Sequence, residues 1–247
     1  MRKIIFANRK GGSGKTSIVV NLAYVLSKKR KKVLVIDLDS QAHSTFYLNR
    51  EFKVDKSIID VFNDISKINE VIVETNYKNL FLLPSVEELG DLNDKLKKRT
   101  DFLKQAMDSI NYDFDFILMD IPPSLERIVI SGLIAADEVM IPLQTHFFPM
   151  KGIAQLVSLI MKINKDWKKD LKLTGIIPTL YNKRTRIYKS VIEEIEESFG
   201  KDILLPGIPY DIRMAEAPSY REPITIFAPN SRASKAFDIL AKKIIRM

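Results

Sequence analysis

The chain has 247 residues, 46% of them hydrophobic, which is enough to bury a sizeable core in one α/β domain, and it has no cysteine. The absence of thiols excludes disulfides, thiolate zinc sites and thiolate-held iron–sulfur clusters. Two histidines, His43 and His146, argue against a histidine-rich metal centre, and no apolar run approaches the roughly 18 residues of a membrane span. Thirty-nine Lys+Arg against 31 Asp+Glu leave a formal charge of +8, which favours a polyanionic partner (nucleic acid, an acidic membrane surface or an acidic protein) unless the lysines merely solvate helix faces.

The first apolar run, Ile4-Ile5-Phe6-Ala7, reads as a strand and is too short for a secretory signal, so the chain is expected to stay in the cytoplasm. It leads into Arg9-Lys10-Gly11-Gly12-Ser13-Gly14-Lys15-Thr16 and a helix-like segment from Ser17 to Ser27. A strand that ends in a glycine-rich turn and opens a helix leaves backbone N–H groups bare to an anion, and the positive end of the helix dipole faces it. In such a phosphate cradle Lys15 reaches the terminal phosphates of a nucleotide and the Thr16 hydroxyl ligates Mg²⁺. The common pattern G-x-x-x-x-G-K-[ST] calls for glycine at position 9; this chain has Arg9 there and a second lysine, Lys10, ahead of the glycines.

Ile18, Val19, Leu22, Ala23, Val25 and Leu26 recur at helical spacing, and the run Lys28 to Lys32 reads as a solvated turn at the helix's C-terminal end, where cations complement the dipole. Val33-Leu34-Val35-Ile36 has the continuous apolar character of a strand covered on both faces. It delivers Asp37-Leu38-Asp39 to the edge where open α/β sheets hold ligands, and carboxylates there can orient an attacking water or hold a metal's water shell. His43 reads as a polar loop residue rather than a general base. Between 49 and 79 the pattern predicts amphipathic helices around Ile58 to Phe62 and Ile68 to Val73. Leu80 to Leu83 reads as a strand, and residues 86 to 111 as a charged helix with Lys97, Lys98 and Arg99 on a solvated face.

Phe116-Ile117-Leu118-Met119 ends in Asp120, the form of a strand whose carboxylate holds Mg²⁺ directly or through water. Ala135 to Leu143 reads as helix end, turn and strand, followed by Gln144, Phe147 and Phe148 and then an amphipathic helix from Gly152 to Asn164. Thr174 to Thr179 is a further strand. Beyond it Lys183, Arg184, Arg186 and Lys189 stand on a loop that opens a helix, a placement suited to phosphate contacts along a duplex. The acidic helix after them (Glu193, Glu194, Glu196, Glu197) confines the positive surface to a patch. Ser231 to Met247 closes the chain as an amphipathic helix, structural rather than a membrane anchor.

Lys10-Gly11-Gly12-x-Gly14-Lys15-Thr16 resembles the deviant Walker A motif of the ParA/MinD superfamily of P-loop ATPases, in which the extra lysine marks the subgroup. Val33 to Gln41 resembles that family's switch I, and Tyr112-Asp113 through Asp120-Ile121-Pro122-Pro123-Ser124-Leu125 resembles its Walker B strand and switch II. Ile208-Pro209-Tyr210-Asp211 through Glu216-Ala217-Pro218-Ser219 is similar to its Ile-Pro-Arg-Asn-x-x-x-x-Glu-Ala-Pro-Ser pattern. The chain departs from the family at Ser40-Gln41-Ala42-His43, where Pro-Gln-Gly-Asn is common, and at Tyr210 and Asp211, where arginine and asparagine are common.

The resemblance runs from Lys3 to Lys243 and implies a single-domain P-loop NTPase over 1–247, the short type without an N-terminal helix-turn-helix domain. Its mostly parallel, twisted sheet would have about eight strands with helices on both faces. It implies ATP and Mg²⁺ as cofactors. Lys10, Gly11, Gly12, Ser13, Gly14, Lys15, Thr16 and Ser17 would surround the phosphates, Pro209 and Asp211 would lie near the adenine, and Thr16, Asp39 and Asp120 would serve the metal. Catalysis would fall to Lys10, Lys15 and Asp39, with Asp39 polarising the hydrolytic water and Lys10 crossing to the other subunit in an ATP-dependent sandwich homodimer, for which the helix from Gly152 is either near the interface or an ordinary core cover. The family's arginine-bearing loop for nonspecific double-stranded DNA matches at Arg184, with Arg213 and Arg221 as further cations. A ParB-like centromere-binding protein would stimulate the weak ATPase. The rival readings are a MinD-like membrane-associated switch, a positioner of non-DNA cargo and a P-loop enzyme acting on a metabolite.

Overall fold

The computed structural model describes residues 1–49, 54–92, 95–124, 127–145 and 149–247. Eight strands form one sheet: β1 (Arg2–Phe6), β2 (Val33–Asp37), β3 (Val73–Glu74), β4 (Leu80–Leu83), β5 (Phe116–Asp120), β6 (Glu138–Gln144), β7 (Lys172–Tyr181) and β8 (Ile208–Pro209). They lie in the order β3-β4-β2-β5-β1-β6-β7-β8, every neighbouring pair parallel except the antiparallel edge pair β3 and β4. β2 and β5 are buried at every position, as their continuous apolar runs require.

Side chains alternate across the sheet, so each central strand feeds two cores. Ile4, Phe6, Val33, Val35 and Leu118 pack under α1 (Lys15–Lys28), α2 (His43–Leu48), α9 (Arg213–Tyr220), α10 (Ile224–Phe227) and α11 (Arg232–Arg246). Ile5, Leu34, Ile36, Ile117 and Met119 face α3 (Ile58–Asn63), α4 (Ile68–Val71), α5 (Phe102–Met107), α6 (Arg127–Ala135), α7 (Pro149–Trp167) and α8 (Arg186–Phe199). Register then positions the chemistry. Phe6 pairs with Asp120 and Asp37 pairs with Asp120, so the carboxyl ends of β1, β2 and β5 finish level on one edge.

Three expectations from the sequence fail. Residues 86 to 111 do not form one helix but two 3₁₀ segments, Glu87–Leu92 and Lys95–Lys98, followed by α5. The sequence Gly90-Asp91-Leu92-Asn93-Asp94 is poor in helix formers, and the two 3₁₀ segments bury Leu89, Leu92 and Leu96. Arg99 is not on a solvated face: its Nη1 donates to the Phe62 carbonyl at 2.6 Å and the guanidinium lies 5.4 Å from that ring's centroid. Val73, expected at the end of a helix, instead starts the edge strand β3. Leu125, His146, Phe147 and Phe148 lie outside the described residues.

Gly207 marks where β8 closes on β7. A Cβ there would stand 2.6 Å from the Pro178 carbonyl oxygen and 2.8 Å from Tyr181 Cε1, and backbone cannot yield as a flexible side chain can. Gly207→Ala should therefore cost about 1–3 kcal/mol, measured by urea denaturation.

Candidate nucleotide site

The turn after β1 is built from backbone that only glycine adopts readily: Gly12 has φ +70° and Gly14, the residue preceding α1, φ +89°. Neighbouring strand ends clamp it. Gln144 Nε2 donates to the Gly12 carbonyl at 2.5 Å, Thr179 Oγ1 donates to the Ser13 carbonyl at 2.9 Å, and Asn8 Nδ2 donates to the Pro142 carbonyl at 2.7 Å. Asn8 also accepts the Lys10 backbone N–H on Oδ1 at 2.9 Å and Lys15 Nζ on its carbonyl at 3.2 Å. Lys15 is buried, only 7% exposed, while Lys10 stands exposed on the rim. Burial lowers the proton affinity of Lys15, and the charges of Asp120 and Asp39 counter that loss.

Three carboxylates meet the cradle and differ in what occupies them. Asp37 is fully buried and its Oδ2 accepts both the backbone N–H and the hydroxyl of Thr45 at 2.8 Å, while Oδ1 accepts the Asp39 N–H at 3.1 Å. It is a staple for the following loop. Asp39 accepts the Gln41 N–H at 3.0 Å and lines the cleft. Asp120 accepts the Ser44 hydroxyl on Oδ2 at 2.7 Å, but its Oδ1 is buried with no hydrogen-bond partner. Burial pushes the proton affinity of Asp120 up, with the nearby hydroxyls of Ser44 and Thr16 drawing it down; burial, and then the charge of Asp120, push Asp37 up as well.

An orphaned oxygen on a buried carboxylate beside a phosphate cradle fits a divalent cation and its water shell. Thr16, Asp120 and Asp39 are the residues that could hold it. Among the described residues no group of three or more His, Cys, Asp or Glu side chains could enclose a metal by itself. Mg²⁺ needs no such cage, since substrate phosphates and waters complete its octahedron.

Two clefts adjoin at Gly12, Gly14 and Ser17. One, about 380 Å³, is walled by the cradle residues 11–17 with Asp39, Gln41, His43 and Pro123. The other, about 310 Å³ and mostly apolar, is lined by Ile18, Thr179, Leu180, Tyr210, Asp211, Ile212 and Met214 among others. A charged half joined to an apolar half has the chemistry of a nucleotide site. Asp211 lines the apolar half, although its carboxylate is already engaged by the N–H groups of Arg213 (3.3 Å) and Ala233 (3.5 Å); Pro209 pairs with Tyr181 in the sheet beside it.

Lys183, Arg184, Arg186 and Lys189 are all exposed, on the turn after β7 and the first turn of α8, which Thr185 caps. Tyr210 N–H donates to the Tyr181 carbonyl at 3.1 Å, which brings the chain leading to Arg213 alongside that turn. Arg221 is held elsewhere: its guanidinium sits 3.8 Å from the ring centroid of Phe46, on α2. Ser44, Gln144 and Thr179 have no motif signal, since each acts through a partner far away in sequence, and Asn8 and Thr45 are ordinary loop and helix residues until the fold sets them against Pro142 and Asp37. Among the described residues no helix is long and apolar enough to cross a membrane.

A family model described as an AAA domain matches residues 1–173. Over 249 aligned residues the chain is 33% identical to the sporulation initiation inhibitor protein Soj of Bacillus subtilis, covering 99% of this chain and 98% of that one. The chain belongs to the ParA/MinD family of P-loop ATPases. Within it, the chromosome-partitioning ATPase Soj of Treponema pallidum is 30% identical over 247 residues, 99% of this chain and 97% of that one. Among solved structures, cobyrinic acid a,c-diamide synthase from Mycobacterium smegmatis with bound ADP and magnesium superposes with a TM-score of 0.85 at 29% identity, covering 99% of this chain and 94% of the other. The single mostly parallel eight-stranded sheet is the fold expected of a ParA/MinD protein.

Thr179→Val keeps the side chain's shape and removes the clamp on Ser13. A net hydrogen bond is worth about 1 kcal/mol of stability, so the melting temperature should fall by about 2–4 °C, and a fluorescent ATP titration should show weaker binding as the cradle loosens.

Proposed function

We propose that this ParA/MinD protein is an ATP-driven partitioning switch: with ATP and Mg²⁺ it closes into a sandwich homodimer that binds double-stranded DNA without sequence preference, and a ParB-like centromere-binding partner stimulates its weak hydrolysis and releases it. It would act in the cytoplasm, on the nucleoid. The observation that carries this reading is the convergence of Lys15, Thr16, Asp39 and Asp120 at the level carboxyl ends of β1, β2 and β5, in a chain alignable almost end to end with a chromosome-partitioning ATPase.

The residues divide the work by their surroundings. Backbone N–H groups of the cradle fix the phosphates, and Lys15, poised between Asp39 and Asp120, supplies positive charge where the transferring phosphoryl develops its own negative charge. Asp39, steadied by the Gln41 N–H, orients the attacking water. Thr16, Asp120 and Asp39 would hold Mg²⁺, directly or through water, and the ion would supply charge neutralisation at the phosphates. Lys10 on the exposed rim is free to reach a facing subunit's phosphates. Lys183, Arg184, Arg186, Lys189 and Arg213, gathered on one edge, would meet duplex phosphates, while Arg221 contributes less directly.

A second reading, a P-loop enzyme acting on a metabolite, is favoured by the name of the Mycobacterium smegmatis neighbour. It predicts steady turnover with a carboxylic acid metabolite, without a protein partner, and indifference to DNA.

A gel-shift titration tests the leading reading: DNA should be retarded with ATP and not ADP, and added salt should weaken the complex, whereas nucleotide-blind or salt-insensitive binding would sink it. Lys10→Ala should spare ATP binding while losing hydrolysis and the ATP-locked dimer, as read by light scattering, and Lys15→Ala should lose binding itself. Asp39→Ala should bind ATP and turn over about 10²-fold more slowly or worse.

A further inference from the structure

We propose that Phe46 and Tyr47 are positioning residues through which the metal end of the nucleotide site sets the place of Arg221 and of the segment joining α9 to α10. The DNA-binding consequence rests on the partitioning reading; the positioning itself does not.

α2 has only six residues and carries contacts at both ends. At its start, Ser44 donates to the Asp120 carboxylate at 2.7 Å and Thr45 donates twice to Asp37 at 2.8 Å, while the Ser85 N–H donates to the Thr45 hydroxyl at 2.9 Å. At its end, the Tyr47 hydroxyl donates to the Glu222 carbonyl at 2.9 Å, and the Arg221 guanidinium lies 3.8 Å from the Phe46 ring centroid. A helix this short spans about 9 Å and has no internal joint, so a shift at Ser44 reaches Phe46 and Tyr47 as a rigid movement.

Both connections to this helix are made by strained backbone. Ala42, which leads into α2, has φ +51°, and Arg221 has φ +53°; neither is a glycine or an asparagine. Phe46 is 47% exposed as a residue, so apolar burial is a poor reason for its position, whereas stacking against a cation is a good one. A cation that takes up the orphaned oxygen of Asp120 draws on the same carboxylate that accepts the Ser44 hydroxyl, which makes that bond the natural point of coupling.

The start of α9 borders the apolar cleft, which gives this region a second route to the site. Met214 and Ala215, in the first turn of α9, line the apolar cleft, and the Ile224 N–H is held by Asn21 Oδ1 of α1 at 2.6 Å. Residues 213–224 thus border the apolar cleft directly and connect to Asp120 through α2.

Hydrogen exchange on the full chain tests this, with a nonhydrolysable ATP analogue and Mg²⁺ added or withheld. The readout is residues 219–224, because 213–215 border the base cleft and would respond to it directly. The wild type should show exchange slowed about threefold or more at 219–224 on adding Mg-nucleotide. Tyr47→Phe combined with Phe46→Leu should abolish that change with analogue affinity held within about twofold, and Tyr47→Phe combined with Phe46→Trp should restore part of it.

The proposal is overturned if 219–224 does not respond in the wild type, if the double variant responds as the wild type does, or if it loses nucleotide affinity in parallel, which would make α2 a plain support. Tyr47→Phe alone, which deletes only a hydroxyl, covers the case in which the double variant fails to fold; it should weaken the response, and a full response would count against the proposal. A DNA gel shift run alongside separates the two readings. Exchange coupling without any DNA binding would leave the positioning role standing and remove the partitioning function.

Discussion

Asp37, Asp120 and Lys15 are ionisable groups withheld from water on one edge of the sheet, and that arrangement governs the rest of the site. Burying charge is costly unless it is paired and hydrogen-bonded, and here the pairing is incomplete. Asp37 is satisfied by Thr45. Asp120 has one oxygen satisfied and one orphaned, and Lys15 has the carbonyl of Asn8 as its hydrogen-bond acceptor. A cation beside Asp120 and an anion beside Lys15 would complete what the fold leaves open, so affinity for a metal-bound phosphate is supplied by the protein's own unmet electrostatics.

How legible this was depended on the range of the interactions involved. The cradle and the strands β1, β2, β5 and β7 could be read directly, because continuous apolar runs and glycine spacing are local properties of the chain. The clamps could not. Gln144 acts on Gly12 and Thr179 on Ser13 across 132 and 166 residues of sequence, and each is an ordinary polar residue at a strand end until the sheet order makes it a neighbour. Asp37 and Asp39 look equivalent in sequence, yet Asp37 ends β2 and is buried against Thr45, whereas Asp39 lies beyond the strand's end and lines the cleft. The misread stretch from 86 to 111 has the opposite cause: its charges suggested a solvated helix, whereas burial of Leu89, Leu92 and Leu96 dictated short turns.

The surplus positive charge also divides once the fold is known. α1 runs away from the cradle, and its 14 residues put Lys28 about 20 Å from that edge. The run from Lys28 to Lys32 therefore lies at the opposite pole, where Lys29 pairs with Asp238 and Lys31 with Asp115 at 3.1 Å. Cations at the end of a helix, paired to carboxylates, are adequately explained by the helix dipole and these ion pairs. Among the described residues Lys183, Arg184, Arg186 and Lys189 form no ion pair with a carboxylate, Lys183 lying instead 5.8 Å from the Tyr181 ring centroid, and they sit on the same edge as the nucleotide clefts. Net charge alone gave both groups equal weight; position separates them.

Asn8 connects the two lysines that define the cradle. Its side-chain oxygen takes the Lys10 N–H, its carbonyl takes Lys15 Nζ, and its amide is anchored to Pro142 on β6. The loop could carry one lysine inward and one outward by glycine flexibility alone, but flexibility would not fix the relation between them. Three bonds to one residue do. Arg9 extends the same control outward by bonding Gln155 on α7, so the rim on which Lys10 stands is tied to a second element of the fold. Reach alone would leave an exposed lysine undirected, and Asn8 fixes the backbone from which the Lys10 side chain extends.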